Sequence, residues 1–527
     1  MIRDFRQFDG QDDIECDVCI AGAGAAGISI ALALADQRHK VVLLEAGGFD
    51  YSEADQDAYV GRNTGRPYHE IATTRLRFLG GSTNHWGGMC SHLEPIDFEK
   101  RAWIPYSGWP ISFDDLEPWY KRAHPWLELG RFDYRREVIS PVGTAYLDFD
   151  ESKVRHKMWH FSRPPTNFGI EHRERLNSAP TLDVLLNASL VDIETDEPGS
   201  TIRRFLVQSL DGKRAKIQAR QFVLALGGLE NPRVLLNTAR DRLTGVGNER
   251  GLVGRFFMEH LNADAGQIAT GDHDWAGAYD SLYRHDRQYR AFLTPSRAEQ
   301  STKQILGSAI GLGPLFHARE RSVAYESLHK IKMAWLRRRM PDNLGKHISN
   351  LLTDTDGLKE AIKERLDSTI YLYTEAEQAP NLDSRVLLGN ETDAFGLRRL
   401  QLDWRLSEID KRSIRQLAIL VGEEVGRLGK GRVGLPHWLL RDDVADDDPL
   451  VGGYHHMGTT RMASDPSTGV VNADCQIFGT NNLFVAGSSV FSTGGAANPT
   501  LTIVALALRL ANHLDQRLSM FNQAGRS

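Results

Sequence analysis

Residues 17–45 read DVCIAGAGAAGISIALALADQRHKVVLLE, and this stretch decides the fold. Asp17–Ala21 is a short β-branched strand, Gly22-x-Gly24-x-x-Gly27 a glycine turn, and Ile28–Asp36 an apolar helix. Lys40–Leu44 is a second buried strand, and Glu45 follows it. Strand, glycine turn, helix, strand and an acid about 20 positions on form the dinucleotide fingerprint. Gly22 permits the tight turn, Gly24 lets the backbone approach a pyrophosphate, and Gly27 lets the helix pack on the strand. Ala25 and Ala26 open the helix, whose free N–H groups and positive dipole end suit phosphate. Glu45, followed by Ala46, can accept hydrogen bonds from ribose hydroxyls. Val18–Ala35 carries no charge and touches the length of a membrane span. The three glycines in register and the strand-like opening favour the nucleotide reading. No second fingerprint follows, since Gly311-Leu-Gly313 runs straight into Pro314. One nucleotide site in a chain of this size points to a permanently held cofactor, FAD.

The rest of the composition bounds the answer. At 527 residues the chain has length for three or four domain-sized units, at about 150 residues each. A 41% hydrophobic content excludes disordered and low-complexity classes. A net charge of −6 argues against nucleic acid as a main partner. Four cysteines are too few for a disulfide scaffold. Cys16-x-x-Cys19 lacks the helix-opening context of a redox pair and reads as coincidence on a buried strand. The N-terminal stretch is acidic where a signal peptide is basic, and no lipidation motif stands out. A cytoplasmic location with no membrane contact is expected.

Two further glycine-rich segments stand out. Residues 79–90 read LGGSTNHWGGMC, where Gly80, Gly81, Gly87 and Gly88 bracket Asn84-His85-Trp86. Paired glycines allow close backbone approach to a planar ligand. Near the C-terminus, Asn482–Ala486 is a buried strand ending in Gly487-Ser488-Ser489. Small residues lead to Asn498-Pro499-Thr500 and an apolar helix over Leu501–Leu514. Pro499 suits the first helical position, which makes Asn498 the expected N-cap. A helix N-terminus here is placed to stabilise an anionic reduced flavin.

With these segments the chain resembles the glucose–methanol–choline (GMC) oxidoreductase family of FAD-dependent alcohol oxidases and dehydrogenases. The resemblance runs from Asp17 to Leu514. It rests on the fingerprint with Glu45, LGGSTNHWGG, LALGGLENPRVLL at 224–236, the H-x-x-G-T of His455–Thr459, and GSSVF…ANPTLT. These versions, with WPISFDDLEPWYKRA at 109–123, are most similar to the sugar-oxidising branch: pyranose oxidases, glycoside 3-oxidising enzymes and the flavoprotein subunits of fructose and gluconate dehydrogenases. The resemblance implies an α/β fold: a Rossmann-like, glutathione-reductase-type FAD-binding domain with an interleaved α+β substrate-binding domain. The FAD domain is expected at 1–100, 180–265 and 450–527, and the substrate domain at 101–179 and 266–449.

It also implies roles. His455 is the base that takes the proton from the substrate hydroxyl while hydride passes to flavin N5. With an ordinary imidazole pKa near ~6.5 it would work at neutral pH. His456 points the other way on an extended segment and is secondary. Asn498 donates to the substrate oxygen. His85 matches a position that carries a covalent flavin link in pyranose oxidases, whose motif is S-T-H-W where this chain has T-N-H-W. Gly81, Ser82, Asn84, Trp86, Gly87 and Gly88 are expected beside the cofactor. So are Gly227, Gly228 and Asn231 after a strand over Ile217–Leu226, Leu190 near the adenine, and Gly487, Ser488, Pro499 and Thr500. No metal is expected.

The implied substrate is a sugar, glycoside or polyol alcohol, with an aryl or aliphatic primary alcohol as alternative. A non-redox FAD-binding lyase of the same fold and a partner-docking flavin subunit also stay open. Oxygen, a quinone or a partner redox protein would accept electrons. Ile20 follows Cys19, so no C-x-x-C-H haem motif is present. Elsewhere, Ser368–Tyr373 and Ser384–Leu388 read as strands and Lys411–Leu428 as a helix; 323–340 reads as a basic amphipathic helix, a lid packed on its own domain in preference to a membrane-surface or partner-docking helix.

Overall fold

Parallel strands bury both faces, so they are written as unbroken apolar runs. Val41–Leu44 and the second half of Asp13–Ala21 are such runs, and they sit in the middle of an eight-stranded sheet. A computed structural model describes the chain apart from residues 8–12, 139–144, 198, 239–243, 273, 285–286, most of 314–342, 358, 360–369 and 525–527. The proposed lid helix at 323–340 lies largely outside the described residues.

The first sheet runs Ile2–Asp4, Leu182–Leu186, Val41–Leu44, Asp13–Ala21, Arg214–Leu224, Ile202–Gln208, Ser189–Thr195. The first five are mutually parallel. Leu483–Val485 adds in parallel to the end of Arg214–Leu224, whose start pairs antiparallel with Ile202–Gln208. The helix Ala25–Asp36 lies between this sheet and the C-terminal helix Thr500–Ala524. Enclosure on both sides explains the uncharged stretch Val18–Ala35. Among the described residues, no helix is long and apolar enough to cross a membrane. Cys16 and Cys19 are free and buried on the strand.

The second sheet has ten strands. Its main path is Arg432–Gly434, Asp264–Ala269, Ile370–Glu377, Ser308–Gly313, Arg287–Pro295, Val154–Phe161 and Met89–Cys90, all antiparallel. His260–Asn262 pairs with Ile370–Glu377 on one side and Val451–Gly452 on the other. The helix Glu408–Arg427 covers this sheet with Ile414, Leu417, Val421 and Val425, spaced three and four apart. A capping box between Ser407 and Asp410 starts it, three residues before the sequence pattern placed it.

Several elements cross the expected domain boundaries. Met89–Cys90, His260–Asn262 and Val451–Gly452 belong to the second sheet although they fall in the segments assigned to the first. Conversely, Phe113–Ala123 packs on the C-terminal helix beside the first sheet. The boundaries follow strand pairing across the seam, which sequence composition does not mark.

Candidate active site

In an open parallel sheet, ligands bind beyond the carboxyl ends of the strands. Four such ends meet here: the loops after Ala21, Leu44, Leu224 and Val485. Gly22 has φ +103°, and a Cβ there would lie 2.5 Å from the Ala225 carbonyl oxygen. A Cβ on Gly27 would lie 1.9 Å from the Gly22 oxygen, so both positions admit only glycine. Gly24, Gly87, Gly227 and Gly487 differ: a Cβ on any of them would meet nothing within 4 Å. Gly24, Gly227 and Gly487 follow the strand ends at Ala21, Leu224 and Val485, so the backbone there is open to a ligand. Gly81 touches Gly24, a Cβ on it standing 3.3 Å from the Gly24 Cα.

Ala25–Asp36 begins at this edge of the sheet, with Gly24 as an N-cap that offers no side-chain bond to the helix amides. Those N–H groups are available to an anion. The buried Glu45 carboxylate accepts from Ala23 N at 3.1 Å and Gly47 N at 3.0 Å, one bond per oxygen. It thereby ties the glycine turn to the Ala46–Gly47 turn, and each oxygen retains a second lone pair. Burial raises its pKa, against the pull of Gly47 N–H, Ala23 N–H and Arg77. Uncapped amides, open glycines and a carboxylate acceptor fit the pyrophosphate and ribose of FAD.

Other expected cofactor residues have different immediate partners. Asn84 Nδ2 donates to Leu79 O and Gly81 O, so its amide locks the Gly81–Asn84 turn. Trp86 Nε1 donates to Thr166 O at 3.0 Å. Asn231 bridges two loops: Oδ1 accepts from Leu226 N, and Nδ2 donates to Ala486 O and Ser489 Oγ. Ser488 Oγ donates to the His456 carbonyl at 2.7 Å. Leu190 is buried on Ser189–Thr195. Ser82, His85 and Gly87 are exposed, and Gly88 is buried.

At the seam of the sheets, His455 and Asn498 come together. His455 Nε2 is 3.5 Å from Asn498 Nδ2. Asn498 is not the helix N-cap: Thr500 is the first helical residue, and the Pro499 carbonyl accepts from Ile503 N. The Asn498 amide instead reaches across to the second sheet. Its Oδ1 accepts from Trp159 Nε1 and its Nδ2 donates to Glu375 Oε1, both at 2.8 Å. An indole nitrogen only donates, so Trp159 fixes which end of the amide faces the histidine.

His455 Nδ1 lies 2.9 Å from His260 Nδ1 and 3.5 Å from Glu375 Oε1. Its backbone N–H donates to Glu259 at 2.7 Å. His456 turns away, with Nε2 3.0 Å from the Tyr68 hydroxyl, which itself donates to Glu259. Burial, with His260 and His456 adding to it, holds His455 well below the ordinary imidazole pKa. This corrects the expectation of an unperturbed value: the ring is neutral at pH 7. Burial pushes Glu375 up to about 8, with Asn498 opposing and Glu259 reinforcing the shift. Burial likewise raises Glu259 to about 7.

His260, Glu375 and His455 hold their donor atoms within 4.8 Å of one another. Two nitrogens on one tetrahedral zinc would stand about 3.3 Å apart. The 2.9 Å separation of the two Nδ1 atoms suits a shared proton. His260, Glu375 and Trp159 escaped sequence reading because each sits on a strand without a motif. Only Glu375 left a signal, as one of two carboxylates, with Glu377, in the strand Ile370–Glu377.

A helix N-terminus open to an anion and a buried histidine–asparagine pair suit an FAD-dependent oxidoreductase acting on CH–OH groups. Residues 380–507 match the family model described as GMC oxidoreductase, and residues 17–160 match FAD dependent oxidoreductase. A C-glycoside 3-oxidase of Microbacterium trichothecenolyticum is 37% identical over 84% of this chain and 76% of its own length. A 2-methyl-1,2-propanediol dehydrogenase of Mycolicibacterium austroafricanum is 24% identical over 96% of both chains. The crystal structure of pyridoxine 4-oxidase from Mesorbium loti superposes with a TM-score of 0.56 over 94% of this chain and 99% of that one, at 18% identity, and shares the fold. The chain belongs to the GMC oxidoreductase family, and FAD is its cofactor.

Proposed function

We propose that the protein oxidises a hydroxyl of a sugar, glycoside or polyol to a carbonyl, with His455 as base and Asn498 as the oxygen-orienting donor. The observation that carries this reading is the 3.5 Å approach of His455 Nε2 to Asn498 Nδ2. A substrate oxygen placed against both atoms has an acceptor for its proton and a donor for its developing charge. Neutral His455 takes the hydroxyl proton at neutral pH. Asn498 Nδ2 has one N–H on Glu375, which leaves the other for the alkoxide-like oxygen. Trp159 and Glu375 hold that amide still, so little reorganisation is needed. Bound FAD supplies the acceptor for the hydride released from carbon.

The sugar or glycoside class is supported by the name of the 37% identical relative, a C-glycoside 3-oxidase. We assign the FAD to the cradle of Gly22–Gly27, Glu45, Ala46, Gly81, Ser82, Gly87, Gly88, Gly227, Gly487 and Ser488. Asn84, Asn231, Leu190, Pro499 and Thr500 shape its walls, and His85 and Trp86 lie beside it. Acid precipitation of the holoenzyme reads the His85 attachment. Flavin that stays with protein means a bond, and flavin released means a contact.

The test is anaerobic titration of the holoenzyme with D-glucose, D-fructose, methyl β-D-glucoside, glycerol and benzyl alcohol while the visible spectrum is recorded. Bleaching by the sugars or glycoside is expected. Bleaching by benzyl alcohol alone would overturn the substrate class, and none at all would favour the non-redox reading. Admitting air then distinguishes acceptors: rapid return of colour means oxygen, slow return a quinone or partner redox protein.

A further inference from the structure

The reading above leaves open why His455 presents a bare nitrogen at Nε2 rather than at Nδ1. A neutral imidazole has one of each, and the hydrogen bond at one nitrogen decides the other. We propose that His260 is a positioning residue that fixes the His455 tautomer, leaving Nε2, the nitrogen beside Asn498, as the proton acceptor. The inference rests on His455 being the base.

The argument starts at a glycine carbonyl. His260 Nε2 lies 2.8 Å from the Gly495 carbonyl oxygen and 3.4 Å from that of Gly494. A carbonyl only accepts, so His260 Nε2 carries the hydrogen. His260 is fully buried, and its burial lowers its pKa, so the ring is neutral and its Nδ1 is bare. That bare nitrogen faces His455 Nδ1 at 2.9 Å, where two bare nitrogens would repel. His455 Nδ1 therefore carries the hydrogen and donates it. Its neutral ring then has a bare Nε2.

The backbone makes this relay rigid. His260 pairs with Glu377 across the strand ladder, and its carbonyl accepts from Gly453 N at 3.0 Å, two residues before His455. Gly495 belongs to the segment that leads to Asn498. One imidazole thus reads the position of the Asn498 segment and sets the tautomer of its partner. When His455 takes a proton at Nε2, the bond from its Nδ1 to His260 becomes charge-assisted and stronger.

Glu375 also lies near His455 Nδ1, at 3.5 Å, and is the competing orienter. Three holoenzymes separate the two: wild type, His260→Leu and His260→Asn. The Asn Oδ1 replaces the Nδ1 acceptor, and the Leu side chain offers none. With 15N-labelled histidine, the imidazole resonances report the tautomer without turnover. In wild type, His455 Nδ1 is expected as the protonated type and Nε2 as the bare type. In His260→Leu the Nε2–H form grows in. Flavin reduction, driven by whichever alcohol bleaches wild type, falls about 10²-fold with half-saturation nearly unchanged. In His260→Asn both tautomer and most of the rate return, with equal flavin content in all three. A wild-type Nε2–H tautomer, or an unchanged tautomer in His260→Leu, would overturn the proposal. If no alcohol bleaches wild type, the functional reading fails while the tautomer spectra still decide the role of His260.

Discussion

His455 Nε2 and Asn498 Nδ2 face each other at 3.5 Å, although 43 positions separate the residues in sequence. One follows the edge strand Val451–Gly452 of the antiparallel sheet, and the other precedes the C-terminal helix of the parallel one. The pair therefore exists only when the two sheets dock. His455→Ala should slow flavin reduction about 10²–10⁴-fold, the range for removing a general base. Asn498→Ala should cost about 10²–10³-fold through its lost donor. Anaerobic stopped-flow absorbance measures both, and wild-type rates in either variant would remove that residue from the mechanism.

The orientation of Asn498 depends on a donor 2.8 Å away, Trp159 Nε1. Trp159→Phe keeps the ring and removes the N–H, which frees the amide to turn its oxygen toward His455. One neutral hydrogen bond is worth about 1 kcal/mol, or roughly fivefold in rate. Flavin reduction should slow by about that factor at unchanged flavin content. An unaltered rate would mean that Glu375 alone holds the amide.

Legibility in the sequence followed locality. The fingerprint was readable because turn, helix and acid act within about 30 consecutive residues. His455 and Asn498 were readable through motif resemblance, and their facing positions are a product of the fold. His260 was not readable, since its meaning lies in a carbonyl at Gly495 and a ring at His455, both far along the chain. Asn498 shows the opposite error. Local rules made it an N-cap, and a buried indole and carboxylate outcompete the helix for its amide.

Glu45 uses both carboxylate oxygens, on Ala23 N and Gly47 N. Glu45→Gln keeps the size and replaces one acceptor by a donor, so one of two buried amides loses its partner. A cost of about 1–3 kcal/mol is expected, concentrated in the FAD cradle. The variant should purify with less flavin and a lower melting temperature, and added FAD should restore part of the latter. Undiminished flavin content would show that the cradle does not depend on this carboxylate.

Glu375 makes the site pH-dependent, with a sign opposite to that of an ordinary surface carboxylate. Burial lifts its pKa from the ordinary carboxylate range to about 8. Between those values the unfolded chain has released a proton that the folded protein still holds. Unfolding therefore releases a proton there, and raising the pH favours it. Stability should fall from about pH 5 to about pH 8, and Glu375→Gln should flatten that part of the melting curve's pH dependence. Chemistry runs the other way. Glu375 lies 3.5 Å from His455 Nδ1 and, once ionised, would stabilise the imidazolium that the proposed base His455 forms on taking the substrate proton. Flavin reduction should quicken as pH rises through about 8, and the rise should vanish in Glu375→Gln. If the variant keeps the rise, another group titrates there; a rate that falls through the same range would show that the neutral acid is the form His455 needs.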